Sequence, residues 1–236
     1  LIHWMIAAFM PYQLDSELLQ YLVDQGIAPG ERLPALTALS HELDLSVGKL
    51  REQLAVARQM GFVTARPRLG IQREAYDPYP AISCSMMFGL AMGEVTFEQF
   101  SRLRQSIETS MWPEAVARLS ADDKACLRQL VADAWQKLRG LPAHIPNGEH
   151  RQLHLTIFSR LENPFVQGLL QAYWDAYEAT ELTRFADYQY WLDVWTYHER
   201  IVEAIHAGDY DGGRQLLSEH FDLLPTVNRQ QLAAER

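Results

Sequence analysis

The stretch from Pro29 to Arg73 reads PGERLPALTALSHELDLSVGKLREQLAVARQMGFVTARPRLGIQR and decides the fold of the N-terminal part of the chain. After the Pro-Gly turn, leucines recur at helical spacing from Leu33 to Leu43, which predicts a short helix. Ser46 follows at the position of an N-cap, and the helix that it begins ends at Gly61. The pattern therefore predicts two helices joined by a short turn.

Residues on either side complete a winged helix-turn-helix. Upstream, Asp15 to Gln25 begins with acidic residues and has leucines on one face, which predicts a first helix. Downstream, Phe62 to Arg66 and Ile71 to Arg73 have β character around a Pro-Arg-Leu-Gly turn, which predicts a hairpin. Three helices and this hairpin, the wing, give a predicted domain over residues 14–74, after an N-terminal extension over residues 1–13.

The rest of the chain predicts a second, all-helical domain. Prolines and tyrosines predict a linker over residues 75–82. From Ser83 onward only helical periodicity occurs, beginning with an apolar segment to Met92. The helices expected after it cover about 96–119 with Pro113 inside, 121–139, 147–161, a helix begun by Asn163-Pro164, 187–207 and 209–224. We therefore expect a mainly α chain, with a bundle of six to seven helices over residues 83–228 and a tail over 229–236.

Composition and charge restrict the class of protein. The chain has 236 residues and a formal charge of -9, and it contains neither the ~20-residue apolar stretch of a membrane span nor a signal peptide. We expect a soluble, cytoplasmic protein with no membrane association. Most cations of the N-terminal part lie between Lys49 and Arg73, where a DNA-facing surface is required. Cys84 and Cys126 lack CxxC spacing and are expected to be small core residues.

Four histidines form a candidate metal site in the second domain. His150 and His154 are four residues apart on one predicted helix, so both rings can reach one point. Two more ligands would close a site, and His198 and His220 on the last two predicted helices are the natural donors. Imidazole ligands suit zinc, nickel, copper and iron. Glu149 points about 100° away from His150 and is expected to lie behind the ligands or at the surface.

In their order along the chain, these motifs resemble GntR-superfamily transcription regulators of the FadR subfamily, which carry an FCD-type ligand-binding domain. The N-terminal match is the segment quoted above. The C-terminal match consists of RLRQSIE (102–108), HRQLH (150–154), ENP (162–164), HERIVEAIHAGD (198–209) and His220. The resemblance implies a homodimer that binds double-stranded operator DNA. It also implies that the helical domain binds a divalent transition metal, with zinc and nickel favoured, and a small carboxylate effector.

The chain departs from the family pattern at three positions. Thr37 and Val47 occupy positions where most members carry DNA-contacting arginines, so other residues must contact the operator. The expected DNA-binding residues are Ser46, Lys49, Arg51, Arg66, Arg68 and Gly70. His150 replaces an aspartate of the family, so the site gains one unit of positive charge, which favours anionic effectors and increases competition by protons below about pH 6.5.

The resemblance also identifies Arg104 as the residue that reaches into the ligand cavity, where a guanidinium can clamp a carboxylate. The alternative is a surface ion pair with Glu108, four residues on. Several aromatic residues either line the cavity or belong to the core or a dimer interface. These are Tyr173, Trp174, Tyr177, Tyr188, Tyr190, Trp191, Trp195 and Tyr197.

Two other functions remain open from the sequence. One is a metal-free regulator that binds a larger apolar ligand, which retention of all four donor positions disfavours. The other is a helical metalloenzyme, in which an open metal position would hold a reactive water. HRQLH has Arg151 and Gln152 where the HExxH motif carries its catalytic glutamate. We therefore expect a regulator and no enzyme.

Overall fold

The computed structural model describes residues 13–180 and 186–223, and the chain divides into two compact units between Ala81 and Ile82. Within the described ranges there are ten α-helices and one two-stranded antiparallel sheet, which confirms the predicted fold class. The elements up to the wing are α1 (Glu17–Asp24), α2 (Leu36–Glu42), α3 (Val47–Gln59), β1 (Val63–Arg66) and β2 (Gly70–Arg73). The later helices are α4 (Tyr79–Met92), α5 (Phe97–Ala117), α6 (Ala121–Leu138), α7 (Asn147–Ile157), α8 (Pro164–Ala179), α9 (Tyr188–Ala207) and α10 (Tyr210–Phe221).

The first unit is a winged helix-turn-helix with its ends set by local sequence. The Ser46 hydroxyl accepts a hydrogen bond from the backbone N–H of Lys49 at 3.1 Å and so caps α3. Gly61, with φ +77°, ends the same helix in the left-handed region that favours glycine. Helices α1 and α2 both pack on α3. The core consists of Leu18, Tyr21, Leu22, Leu33, Leu39, Leu50, Ala57, Val63 and Ile71.

The wing pairs β1 with β2 in a register that runs from Val63 opposite Arg73 to Arg66 opposite Gly70. A third segment of chain joins this sheet, since Arg32 forms a bridge with Gln72. The residues around Arg32 carry no local signal that predicts this added edge. Between the strands, residues 67–69 form a short turn in which Arg68 adopts φ +64°. The turn therefore carries a cation at the tip of the wing.

In the second unit, six helices contact one another in the cyclic order α5, α8, α7, α6, α9, α10 and back to α5. Sequence-coded caps begin several of them; Thr96 accepts from the Gln99 N–H at 3.2 Å in a capping box. Helix α5 runs through Pro113 to Ala117. The central side chains include Trp112, Leu127, Leu138, Leu153, Leu170, Trp191, Trp195, Ile205 and Leu217. The ring of helices thus encloses a large apolar core, and Tyr173, Trp174 and Tyr177 form a second buried cluster.

A glycine allows α10 to lie close to its neighbours. A Cβ built on Gly213 would be 2.8 Å from Cζ2 of Trp112 on α5 and 3.4 Å from Cβ of Ala204 on α9. The indole N–H of Trp112 also donates to the backbone oxygen of Tyr210 at 2.7 Å. Both contacts fix the position of α10 in the ring.

The structure corrects two expectations. Helix α4 begins at Tyr79, within the stretch expected to be a non-helical linker, because a proline such as Pro80 is tolerated in the first helical turn. Cys84 and Cys126 are exposed and are not core residues. Cys126 immediately precedes Leu127, the first residue of the buried stripe of α6, and so lies off that stripe.

Some expectations lie outside the described residues. These are the N-terminal extension up to residue 12 and the tail. The last helix ends at Phe221, three residues before the predicted end at Leu224. Along the described ranges, no helix combines the length and apolarity that crossing a membrane requires.

Candidate metal centre

Three helices of the ring bring the four predicted histidines together. His150 and His154 lie one turn apart on α7, His198 lies midway along α9, and His220 lies in the last turn of α10. All four side chains are buried, with exposed fractions between 0% and 5%. Each ring offers one nitrogen to a set whose members all lie within 4.8 Å of one another. The tertiary structure therefore gathers residues separated by up to 70 positions in the sequence.

The spacing of the ring nitrogens suits a tetrahedral ion. His154 Nε2 lies 3.2 Å from His198 Nε2, and His198 Nε2 lies 3.2 Å from His220 Nε2. Four nitrogens at about 2.0–2.1 Å from a tetrahedral ion are separated by about 3.3 Å. These two separations therefore match those of a tetrahedral site, and the full set of four nitrogens lies within 4.8 Å.

His150 supplies an independent indication of a ligand. Neither of its ring nitrogens has a hydrogen-bond partner among the described residues, although the ring is only 3% exposed. A buried polar group left unpaired costs about 1–3 kcal/mol, so such groups call for a ligand or an ion. A bound cation would accept the lone pair of one His150 nitrogen and of the other nitrogens that lie close together in the cluster.

The protonation state of the cluster suits metal binding. Burial lowers the pKa of His150 and of His198 well below the usual value, and neighbouring histidines add to the effect. Burial likewise lowers the pKa of His220 well below the usual value, and the neighbouring His154 and Arg104 add to the effect. Burial also lowers the pKa of His154, against the opposing influence of Glu108. All four rings are therefore neutral at pH 7, the form in which imidazole binds metals.

Arg104 and Glu108 on α5 lie beside this cluster as a buried ion pair. Arg104 Nε donates to Glu108 Oε1 at 2.7 Å, and the two side chains are 5% and 0% exposed. Burial opposes ionisation of Glu108, but the charge of Arg104 and the hydrogen bond with His154 outweigh it and hold its pKa at about 2. The sequence alternative of a pair with Glu108 is thus seen, although inside the domain and not at its surface. The guanidinium of Arg104 is therefore already paired with the carboxylate of Glu108.

The aromatic residues divide between the site and the surface. The rings of Trp174, Trp191 and Trp195 surround His150 at centroid distances of 4.7, 6.2 and 6.4 Å. Their three indole N–H groups are buried and have no acceptor in the described parts of the chain. Tyr188, by contrast, is exposed. His150 is therefore surrounded by apolar rings, and the indole N–H groups of these rings have no hydrogen-bond acceptor among the described residues.

The predicted DNA-binding residues lie on α3 and the wing. Arg51, Arg66 and Arg68 are exposed. No ion pair involves them in the ranges that the structure describes, so their charges are available to a phosphate backbone. Lys49 instead pairs with Glu17 Oε1 at 2.5 Å, a contact that the sequence analysis missed because it joins α3 to α1. Ser46 caps α3, and Gly70, with φ +84°, begins β2 where the turn ends.

Comparison with known proteins gives one family match. Residues 99–223 match the FCD domain, whereas no curated protein matches this chain. Among solved structures, the GntR protein of Streptococcus agalactiae is similar at 16% identity and TM-score 0.61, over 87% of this chain and 94% of that one. At that identity, the likeness shows a shared fold alone.

Two further structures align at lower scores. The McbR/YncC protein of E. coli has 19% identity over 94% of this chain and 97% of its own, with TM-score 0.46. The Lar protein, which is described as controlling the expression of the Listeria monocytogenes agr system, has 15% identity over 90% of this chain and 96% of its own, also with TM-score 0.46.

Proposed function

This chain belongs to the FCD-domain family, and from that premise we propose that it is a ligand-responsive transcription regulator of the GntR type. The first unit binds operator DNA, and the second binds a divalent metal and a small effector. One observation carries the proposal: a winged helix-turn-helix and a buried cluster of four neutral histidines occur in the same chain. DNA binding and ligand sensing therefore have separate, physically suitable sites.

The metal is held by His150, His154, His198 and His220, with zinc or nickel favoured by the all-imidazole donor set. When bound, the ion supplies two units of positive charge inside the domain and a point of attachment for an anion. The four neutral rings do not compensate that charge, and the Glu108 carboxylate is already paired with Arg104. A buried, uncompensated charge is costly. The charge balance therefore supports a small anionic effector, such as a carboxylate.

The metal proposal is tested by metal analysis of the purified protein. We expect about one divalent ion per chain in the wild type and none when His154 and His198 are both replaced by alanine, because two ligands alone do not hold an ion firmly. His144→Ala is the matched control, since His144 is exposed in a loop. A wild-type protein without metal after growth in zinc and nickel would remove this part of the proposal.

DNA binding is assigned to the exposed cations of α3 and the wing, with Arg51 as the leading contact. We expect Arg51→Ala to weaken binding to a duplex selected by the wild type from a random-sequence pool by about 1–3 kcal/mol. Affinity should also fall steeply with salt concentration. Arg128→Ala, at an exposed position on α6, makes the same change in net charge and serves as the control. If the Arg51→Ala variant binds with the affinity of the wild type, the main DNA contact is made by the wing and not by Arg51.

A homodimer is part of the proposal, and α4 supports it. This helix has no charged residue, and among its side chains Phe88 and Met92 are 64% and 59% exposed. Cys84, Phe88 and Met92 follow each other at four-residue spacing and so lie on one face. An exposed apolar stripe of this kind marks an interaction surface. Light scattering should show a dimer that Phe88→Glu dissociates and Leu141→Glu, in an exposed loop, does not.

The enzyme alternative gains no support from the site. Metalloproteases of the HExxH type use a free carboxylate beside the metal as general base. The carboxylate beside this cluster, Glu108, is held by Arg104 and His154. The metal-free alternative is also disfavoured, because an apolar ligand would leave the nitrogens of His150 unpaired.

A further inference from the structure

The side of His154 that faces away from the cluster has a carboxylate partner. His154 Nε2 points towards His198, whereas Nδ1 lies 3.0 Å from Glu108 Oε2. The two ring nitrogens of an imidazole point in different directions. Glu108 therefore lies behind His154 and is not a member of the ligand set.

Two contacts compete for Nδ1 of His154, and chemistry decides between them. Arg104 approaches it at 2.9 Å and can only donate a hydrogen bond. The ionised Glu108 can only accept one, so Nδ1 cannot satisfy both partners. Coordination through Nε2 requires the lone pair of that atom, which places the single proton of the neutral ring on Nδ1. The Nδ1–H group therefore donates to Glu108.

Arg104 in turn holds Glu108 in place. Its Nε and one terminal nitrogen contact the two carboxylate oxygens at 2.7 and 3.3 Å. Its other terminal nitrogen donates to the hydroxyl of Tyr173 at 3.2 Å. Each buried charge of the pair thus compensates the other, and the carboxylate is fixed on α5 opposite α7.

We propose that Glu108 is a positioning residue that fixes the tautomer and orientation of His154 for metal binding, and that Arg104 acts through Glu108. Arg104 then supports the metal site. The family resemblance had instead implied that Arg104 clamps the effector. The proposal rests on the metal site proposed above. Carboxylates placed behind a metal-bound histidine typically raise metal affinity 10–100-fold.

The test replaces the carboxylate by a group of the same shape. In Glu108→Gln, the amide can either accept from Nδ1–H or donate to an unprotonated Nδ1, so the tautomer is no longer fixed. We expect zinc affinity, measured by competition with a chelating dye, to fall 10–100-fold. In metal-free protein, the ¹⁵N chemical shifts of His154 should change from a single Nδ1–H tautomer to a mixture. The His154 signal is assigned by its loss in His154→Ala.

Matched variants separate positioning from folding. Glu98→Gln makes the same substitution on the same helix, where Glu98 forms an exposed i,i+4 pair with Arg102 at 2.6 Å; we expect wild-type zinc affinity. Because Glu108→Gln leaves Arg104 buried and unpaired, the double variant Arg104→Gln/Glu108→Gln removes both charges and keeps the test valid if the single variant does not fold.

The outcomes distinguish this inference from the metal proposal. Wild-type zinc affinity with an unchanged His154 tautomer in the Glu108 variants would overturn the role of Glu108. A wild-type protein that binds no metal but shows a fixed Nδ1–H tautomer, lost in Glu108→Gln, would retain the contact and remove the metal proposal instead.

Discussion

At the scale of single residues, His150 distinguishes this site. Its ring contacts Trp174 at 4.7 Å and His198 at 4.8 Å between centroids, but its nitrogens have no partner within the described residues. Among the other three candidate ligands, His198 Nε2 lies 3.2 Å from Nε2 of both His154 and His220, and His154 also contacts Glu108. Of the four candidate ligands, His150 is thus the one that most clearly lacks a partner among the described residues when no metal is bound.

We expect His150→Ala to lower zinc affinity by about tenfold or more, because it leaves three ligands for an ion that favours four. His150→Asp supplies an oxygen ligand and should retain affinity closer to the wild type, as the family pattern implies. Competition with a chelating dye measures both. Unchanged affinity in His150→Ala would show a three-histidine site, and His144→Ala provides the background.

At the scale of elements, the close approach of α10 to α5 and α9 decides whether His220 reaches the cluster. Gly213 permits that approach, since any side chain there meets the Trp112 ring. The same helix ends with His220 next to Phe221, whose ring packs at 6.0 Å from the imidazole. A shift of α10 would therefore displace a candidate metal ligand as well as core residues.

Replacement of Gly213 by valine should lower the free energy of unfolding by about 1–3 kcal/mol, because extra atoms in a packed core force the neighbours apart. Urea denaturation measures the change. Gly148→Val on α7 is the control, because a Cβ there has no atom within 4 Å. If both variants unfold at the same urea concentration, the contact with Trp112 does not constrain α10.

At the scale of the whole molecule, four buried histidines make stability depend on pH. In the unfolded chain each has a pKa of about 6.5, whereas burial lowers the pKa values of His150, His198 and His220 well below this in the folded protein. The unfolded state therefore binds more protons below pH 6.5. This contribution to stability is complete above about pH 6.5 and is lost as the pH falls towards the lowered values.

Metal-free protein should accordingly lose thermal stability between pH 6.5 and 5, at about 1.4 kcal/mol per pH unit for each additional proton that the unfolded state binds. Tryptophan fluorescence follows this transition, because Trp174, Trp191 and Trp195 surround the cluster. His144→Ala should show the same pH dependence as the wild type. A melting temperature that stays constant from pH 7.5 to 5 would contradict the burial of neutral histidines.

Local signals in the sequence predicted much of this structure. Helix α3 begins after Ser46 and ends before Gly61 as expected, and the four-residue spacing of His150 and His154 placed both rings on one face. The family match at residues 99–223 confirms the resemblance of the second domain. The exposure of Cys126 was predicted wrongly, because a residue one position off a buried helical stripe cannot be recognised from its type alone.

By itself, the sequence determined the helices, the wing and the identity of four candidate ligands, because caps, turns and periodicity depend on residues only a few positions apart. Only the tertiary structure decided that the four rings meet within 4.8 Å, and that Arg104 is committed to Glu108 and through it to His154. These contacts join α5, α7, α9 and α10, whose order around the ring is set by long-range packing. Burial removes these side chains from water, so an unpaired charge or nitrogen among them is costly. For this reason the packing of the helices creates a candidate binding site.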